Sequence, residues 1–134
     1  MITVADTSVL VGALDRRDAR HAECAAVVRK RLDAGVVVTA AVAVEVDYLV
    51  STRVGRRAAR EFLHNLDTGV LVLEPVDSEI LRRAVDLDDR YADLGLGLAD
   101  GTVVATAEKH RAVAILSLDK HYRLVAPDFS VEPA

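Results

Sequence analysis

The stretch that decides the fold is MITVADTSVLVGAL, residues 1–14. Ile2, Thr3, Val4 and Ala5 read as a buried strand, and Val9, Leu10 and Val11 resume the apolar run after only Asp6, Thr7 and Ser8. So short a polar break predicts a strand that passes directly into a helix running toward Leu14, with Thr7 or Ser8 as its cap. Asp6 then stands at the carboxyl end of the strand, between two apolar runs. An ionised carboxylate in such a place loses hydration and needs a compensating partner.

Working outward, the same alternation continues. Val36, Val37 and Val38 are β-branched and predict a second strand, VLVLEP (70–75) a third that Pro75 stops, and AVAIL (112–116) a fourth. Phe129 and Val131 in the tail predict an edge strand. Between the strands, apolar residues recur at helical spacing over 19–32, 41–53, 56–66 and 99–110, and from Asp77 or Ser78 to Tyr91. Gly35, Gly55 and Gly69 punctuate the first three of these helices. The expected class is therefore α/β, with a central, mainly parallel sheet of four or five strands and helices on both faces. Ligands in such sheets bind beyond the strand carboxyl ends, where the strand order reverses.

The 134 residues suit one domain spanning 1–134, with a single core. Hydrophobic residues make up 51% and aromatics 4%, so that core has to be aliphatic. One cysteine, Cys24, cannot close an internal disulfide, which fits a reducing, cytoplasmic setting. Neither a leader pattern nor an apolar run of about 18 residues is present, so secretion and membrane spanning are not expected. The net charge of −4 argues against a bulk polycation. Basic residues nonetheless cluster, at Arg16, Arg17 and Arg20, at Arg53, Arg56, Arg57 and Arg60, and at Lys120, His121 and Arg123. Each cluster reads either as a solvated face or as a place for phosphate, which the planar guanidinium fork matches.

Four acidic residues do not fit a plain scaffold. Asp6 and Asp119 follow the first and fourth strands, Glu45 lies in the apolar helix AVAVEVDYLV, and Asp100 opens a helix of small and apolar residues. Singly, Asp6 and Asp100 could be helix caps, Glu45 could reach solvent from a half-buried helix, and Asp119 could be a turn residue. Together they point to a shared pocket, where carboxylates would repel or protonate unless a cation were present. Oxygen ligands around a wet centre suit Mg²⁺ or Mn²⁺, whereas the scattered histidines and lone cysteine do not suit zinc.

The stretches VADTSVLVGAL, TAAVAVEVDYLV, DLGLGLADGTVVATAEKH and ILSLDKHYRLV, in this order and over nearly the whole chain, resemble the PIN-domain ribonucleases. Within that class they resemble the VapC toxins of toxin–antitoxin modules. The resemblance implies metal-dependent endoribonuclease activity with Asp6, Glu45, Asp100 and Asp119 as catalytic and metal-binding residues. Ser8 takes the place of a supporting hydroxyl. It also implies Mg²⁺ or Mn²⁺ as cofactor, RNA as substrate, a homodimer, and a cognate antitoxin whose tail reaches the acidic pocket. Gly101 departs from the pattern, which has a small residue with a Cβ there, and is expected to loosen the start of its helix. Asp47 cannot share Glu45's direction, since residues two apart on a helix diverge. Asp93 is a candidate outer ligand, and Arg16, Arg17, Lys120 and Arg123 are candidate RNA contacts. A phosphoacceptor receiver domain and a non-catalytic interaction domain are the rival readings.

Overall fold

The valine-rich runs do become the strands of one sheet. The computed structural model describes residues 1–134, with β1 at Thr3–Ala5, β2 at Val36–Thr39, β3 at Val72–Glu74, β4 at Ala114–Ser117 and β5 at Ser130–Pro133. The order is β3-β2-β1-β4-β5 and every neighbouring pair is parallel. β1, β2 and β4 are buried along their whole length, as strands covered on both faces must be. β3 lies at an edge, so it keeps only three residues of the expected six and leaves Val72 and Leu73 exposed.

Seven helices surround the sheet: α1 (Thr7–Leu14), α2 (His21–Arg31), α3 (Ala40–Arg53), α4 (Arg56–Asp67), α5 (Ser78–Arg90), α6 (Leu98–His110) and α7 (Tyr122–Val125). α7 was not foreseeable from periodicity, because four residues make barely one turn. The core is aliphatic, with Phe62 and Tyr122 its largest fully buried side chains. Cys24 is buried beneath α1, and burial pushes its thiol up to about 11, leaving it protonated and inert. No helix is long and apolar enough to cross a membrane.

Two close helix contacts explain two glycines. A Cβ on Gly12 would sit 2.6 Å from Cys24 Sγ, where α1 crosses α2. A Cβ on Gly101 would lie 2.8 Å from the Ala84 carbonyl oxygen, where α5 crosses α6. Gly101 therefore permits tight packing of α6 on α5, and the expectation that it loosens the helix start is corrected.

The topology also places a site. β2 and β3 extend the sheet to one side of β1, and β4 then pairs on the other side. The order reverses between the carboxyl ends of β1 and β4, where adjacent connections diverge and leave a crevice.

Candidate active site

Asp6 leaves β1 at this crevice, 1% exposed, with its backbone N–H donating to the Leu116 carbonyl of β4 at 2.9 Å. Its side chain caps α1, so the cap is Asp6 and not Thr7 or Ser8. Oδ1 accepts from Val9 N at 3.2 Å and from Ser8 Oγ at 2.8 Å, and Oδ2 accepts from Ser117 Oγ at 2.5 Å. Both serines are held in turn. Ser8 Oγ accepts from Leu118 N at 2.9 Å, and Ser117 Oγ accepts from Asp119 N at 2.8 Å. The segment carrying Asp119 is thus tied to the carboxylate of Asp6 through two hydroxyls.

The opposite side is positioned from β2. Thr39 ends that strand, is fully buried, and caps α3 by accepting from Val42 N at 3.2 Å. Its hydroxyl lies 2.9 Å from Thr102 Oγ1, which donates to the Ala99 carbonyl at 2.6 Å. With the Thr102 proton so committed, Thr39 is the donor between the two. This link joins α3, which carries Glu45, to the first turn of α6, which carries Asp100. Gly97 occupies the N-cap of α6 without a side-chain bond, so Asp100 does not cap its helix.

Asp6, Glu45, Asp100 and Asp119 line one cavity of about 440 Å³, together with Ser8, Asp18, Leu49 and Arg53 among others. Asp47 does not line it and instead lines a separate small pocket together with Ser51 and Arg56. Asp93 sits on an exposed turn (Ala92–Leu94) outside the lining. Arg16, Arg17, Lys120 and Arg123 also lie outside it, all exposed, with Arg123 donating to the Ala134 carbonyl.

The electrostatics are those of crowded negative charge. Burial raises the pKa of Asp6 above the usual carboxylate value, against the lowering by its hydrogen bonds from Ser117, Ser8 and Val9. Asp100 is pushed up to about 6, by burial first and then by the charge of Asp6, with Asp119 adding to the effect. His121 opposes this shift, its Nε2 standing 3.3 Å from Asp100 Oδ2. Tyr122 is close enough to favour the carboxylate too, yet its buried hydroxyl has no partner at hydrogen-bonding distance and angle. The hydroxyl of Thr7, on the cavity wall, is likewise unpartnered. No three acidic or histidine side chains converge closely enough to cage an ion by themselves. The donor set is otherwise what a hard divalent cation asks for: carboxylates, hydroxyls and room for retained water.

Sequence reasoning missed Ser117, His121 and Tyr122. Ser117 is adjacent to Asp6 only across the β1–β4 pairing. A period of two places it on the opposite side from Leu116, but does not say what it meets. His121 reads in the sequence only as part of the basic cluster with Lys120 and Arg123, and in the structure its Nε2 stands 3.3 Å from Asp100 Oδ2.

Comparison with known proteins agrees with this architecture. The PIN domain family model matches residues 3–127. Ribonuclease VapC26 of Mycobacterium tuberculosis is 33% identical over 125 residues, covering 92% of each chain. Among solved structures, Mycobacterium tuberculosis VapC20, a Sarcin-Ricin loop cleaving toxin, superposes with a TM-score of 0.79 at 23% identity, covering 92% of this chain and 95% of that one. The VapBC2 structure from Rickettsia felis, bound to promoter DNA, contributes a chain with a TM-score of 0.69 at 16% identity, covering 98% of each. A receiver domain is set aside on the same grounds, and because β2 ends in Thr39 with no carboxylate to accept a phosphoryl group. The all-parallel sheet, the acid-lined crevice at its switch point and these matches agree, and the chain belongs to the PIN domain family.

Proposed function

We propose that the protein is an endoribonuclease that hydrolyses RNA phosphodiester bonds with Mg²⁺ or Mn²⁺ in the acidic cavity. The observation that carries this reading is the meeting of Asp6, Glu45, Asp100 and Asp119, distant in sequence, around one solvent-open space. Ribonuclease activity in a relative 33% identical over nearly the full length supports it.

In this reading Asp6, Asp100 and Asp119 hold the ion directly or through water, and Glu45 is a further ligand or orients the attacking water. Bound there, a divalent ion lowers the pKa of a water to give a nucleophile and neutralises charge developing on the phosphate. The protein's own part is positional. Ser8 and Ser117 fix both oxygens of Asp6, so its charge cannot swing away from the cavity. Asp119 inherits its place from the same hydroxyl network. Glu45, exposed and without a hydrogen bond or ion pair, is free to follow a water or the scissile phosphate. Arg53, which lines the cavity, supplies a permanent positive charge where the substrate's negative backbone arrives.

The neighbouring solved structures include toxin–antitoxin complexes, VapBC2 and FitAB. We infer that this protein too is the toxin of such a pair, acting as a homodimer and restrained by a cognate antitoxin.

The test is incubation of the purified protein with total RNA and Mg²⁺ or Mn²⁺, beside an EDTA control and Asp6→Asn. Cleavage that needs the ion and Asp6 is the expected result. Cleavage that survives both controls overturns the mechanism.

A further inference from the structure

Arginine is distributed unevenly over the surface. Arg20, Arg31 and Arg83 are each ion-paired with a glutamate. Arg29, Arg82, Arg90, Arg111 and Arg123 are exposed, without an ion pair and scattered, whereas Arg16, Arg17, Arg53, Arg56, Arg57 and Arg60, also exposed and without an ion pair, are gathered around the junction of α3 and α4. These six are neighbours. Arg53 lines the acidic cavity from the end of α3, and the Arg17 guanidinium donates to its carbonyl oxygen at 3.0 Å. Gly55 then turns the chain, and α4 begins at once with Arg56 and Arg57 and places Arg60 one turn further on.

On the outer face of α4, Arg56, Arg57, Arg60, Glu61, His64 and Asn65 line a shallow groove with no apolar side chain in it. That composition is informative. A protein partner anchors on buried aromatic or aliphatic side chains, for which this groove offers no counterpart. A sugar–phosphate backbone asks instead for guanidinium and polar donors. The first turn of α4 holds no acid and two arginines, an arrangement the helix dipole opposes and an arriving anion would relieve.

We propose that single-stranded RNA runs from the acidic cavity past Arg53 and Arg17 and along α4, its phosphates held by Arg56, Arg57 and Arg60. The proposal rests on the ribonuclease reading for its substrate and adds the path by which that substrate reaches an acidic site. Without such a path, the carboxylates would repel RNA from the cavity they line. Scarce aromatics make the same point, since few stacking platforms exist and phosphate contacts have to supply the affinity.

The test separates binding from cleavage. A fluorescein-labelled single-stranded RNA of mixed sequence is titrated with full-length protein in EDTA, at salt concentrations between about 50 and 200 mM, and anisotropy is read. R56A/R57A/R60A is compared with wild type and with R82A/R90A, which removes two exposed arginines of α5. Each lost phosphate contact lowers the slope of log K against log salt by about 0.7, so the triple variant is expected to lose roughly 2. Its RNA affinity should fall about tenfold or more while its melting temperature and the R82A/R90A binding stay unchanged. Arg60→Glu, a single exposed change, should weaken binding in the same direction. Wild-type affinity and slope in the triple variant would overturn the track. So would unchanged RNA binding with lost binding to polyglutamate, which would make the strip a dock for acidic protein. Absence of cleavage by wild type with Mg²⁺ or Mn²⁺ would instead sink the nuclease reading, and the metal-free binding result would stand apart from it.

Discussion

On the β1–β4 side of the cavity, both carboxylate oxygens of Asp6 are engaged and the carboxylate is nearly inaccessible to water. On the α3 side, Glu45 is exposed and its carboxylate touches no donor. The two acids share a cavity but not a physical condition. Asp6 is a fixed charge whose geometry the fold enforces, whereas Glu45 is a mobile one whose geometry a ligand must enforce. A site built in this way is preorganised on one wall and adaptable on the other, so the fixed wall sets where charge sits and the other adjusts to what arrives.

The sharpest way to break the comparison is to remove charge from the fixed wall. Asp6→Asn keeps an acceptor for Val9 N, since Asn is as good a helix cap as Asp, so the fold is retained. RNA cleavage is expected to fall to the level of the EDTA control. Melting temperature without metal should hold or rise, because the variant no longer buries a charge. Activity lost together with the fold would mean Asp6 is a structural cap and little more. Next in size is Ser117→Ala, which removes a donor to Asp6 and the acceptor of Asp119 N in one step. Partners of metal-binding side chains change affinity by about ten- to a hundredfold. Calorimetric titration with Mn²⁺ should show a loss in that range, accompanied by about 1–3 kcal/mol of stability for the buried groups left unpaired.

These same residues mark where sequence alone stops. Asp6 and Asp119 were legible because each follows a short apolar strand, and the parallel alternation already places strand ends on the binding side. Glu45 was separable from Asp47 by helical geometry, and Leu49, one turn on, does line the cavity with it. Nothing local announces that Ser117 will donate to Asp6, because the two stand 111 positions apart and meet only through a strand pairing. Gly101 misled for a related reason. Its need for a missing Cβ comes from Ala84 on α5, and only the helix crossing brings the two together. Position along the chain reveals which residues are offered to a site, while their partners are set by tertiary contact.

The adaptable wall makes a weaker but cleaner prediction. Glu45→Gln removes an exposed charge without a partner, so stability should move by no more than about 0.5 kcal/mol. Cleavage should drop, though by less than in Asp6→Asn assayed in parallel. An equal drop would show that Glu45 is as firmly committed to the ion as Asp6 is, and that the two walls do not differ in function.

The most direct reading of crowding comes from pH, through stability and not through cleavage. The carboxyl of Asp100 is raised from 3.8 to about 6 in the folded, metal-free protein. Between those values the folded form retains a proton that the unfolded chain has released. Stability from this group is therefore present at low pH, declines as pH rises through that window, and stays diminished above about 6. Two units correspond to roughly 3 kcal/mol, and the 22% exposure of the side chain reduces this to something on the order of 1–2 kcal/mol. Asp100→Asn should thus be more stable than wild type by about that amount near neutral pH, with the gap closing near pH 4 in denaturant titrations. Mn²⁺ should close the same gap from the other direction at neutral pH, by stabilising wild type and leaving the variant nearly unmoved. If wild type and variant instead run parallel across the whole range, with and without the ion, Asp100 is not held among like charges, and the case for a cation between these carboxylates loses its electrostatic basis.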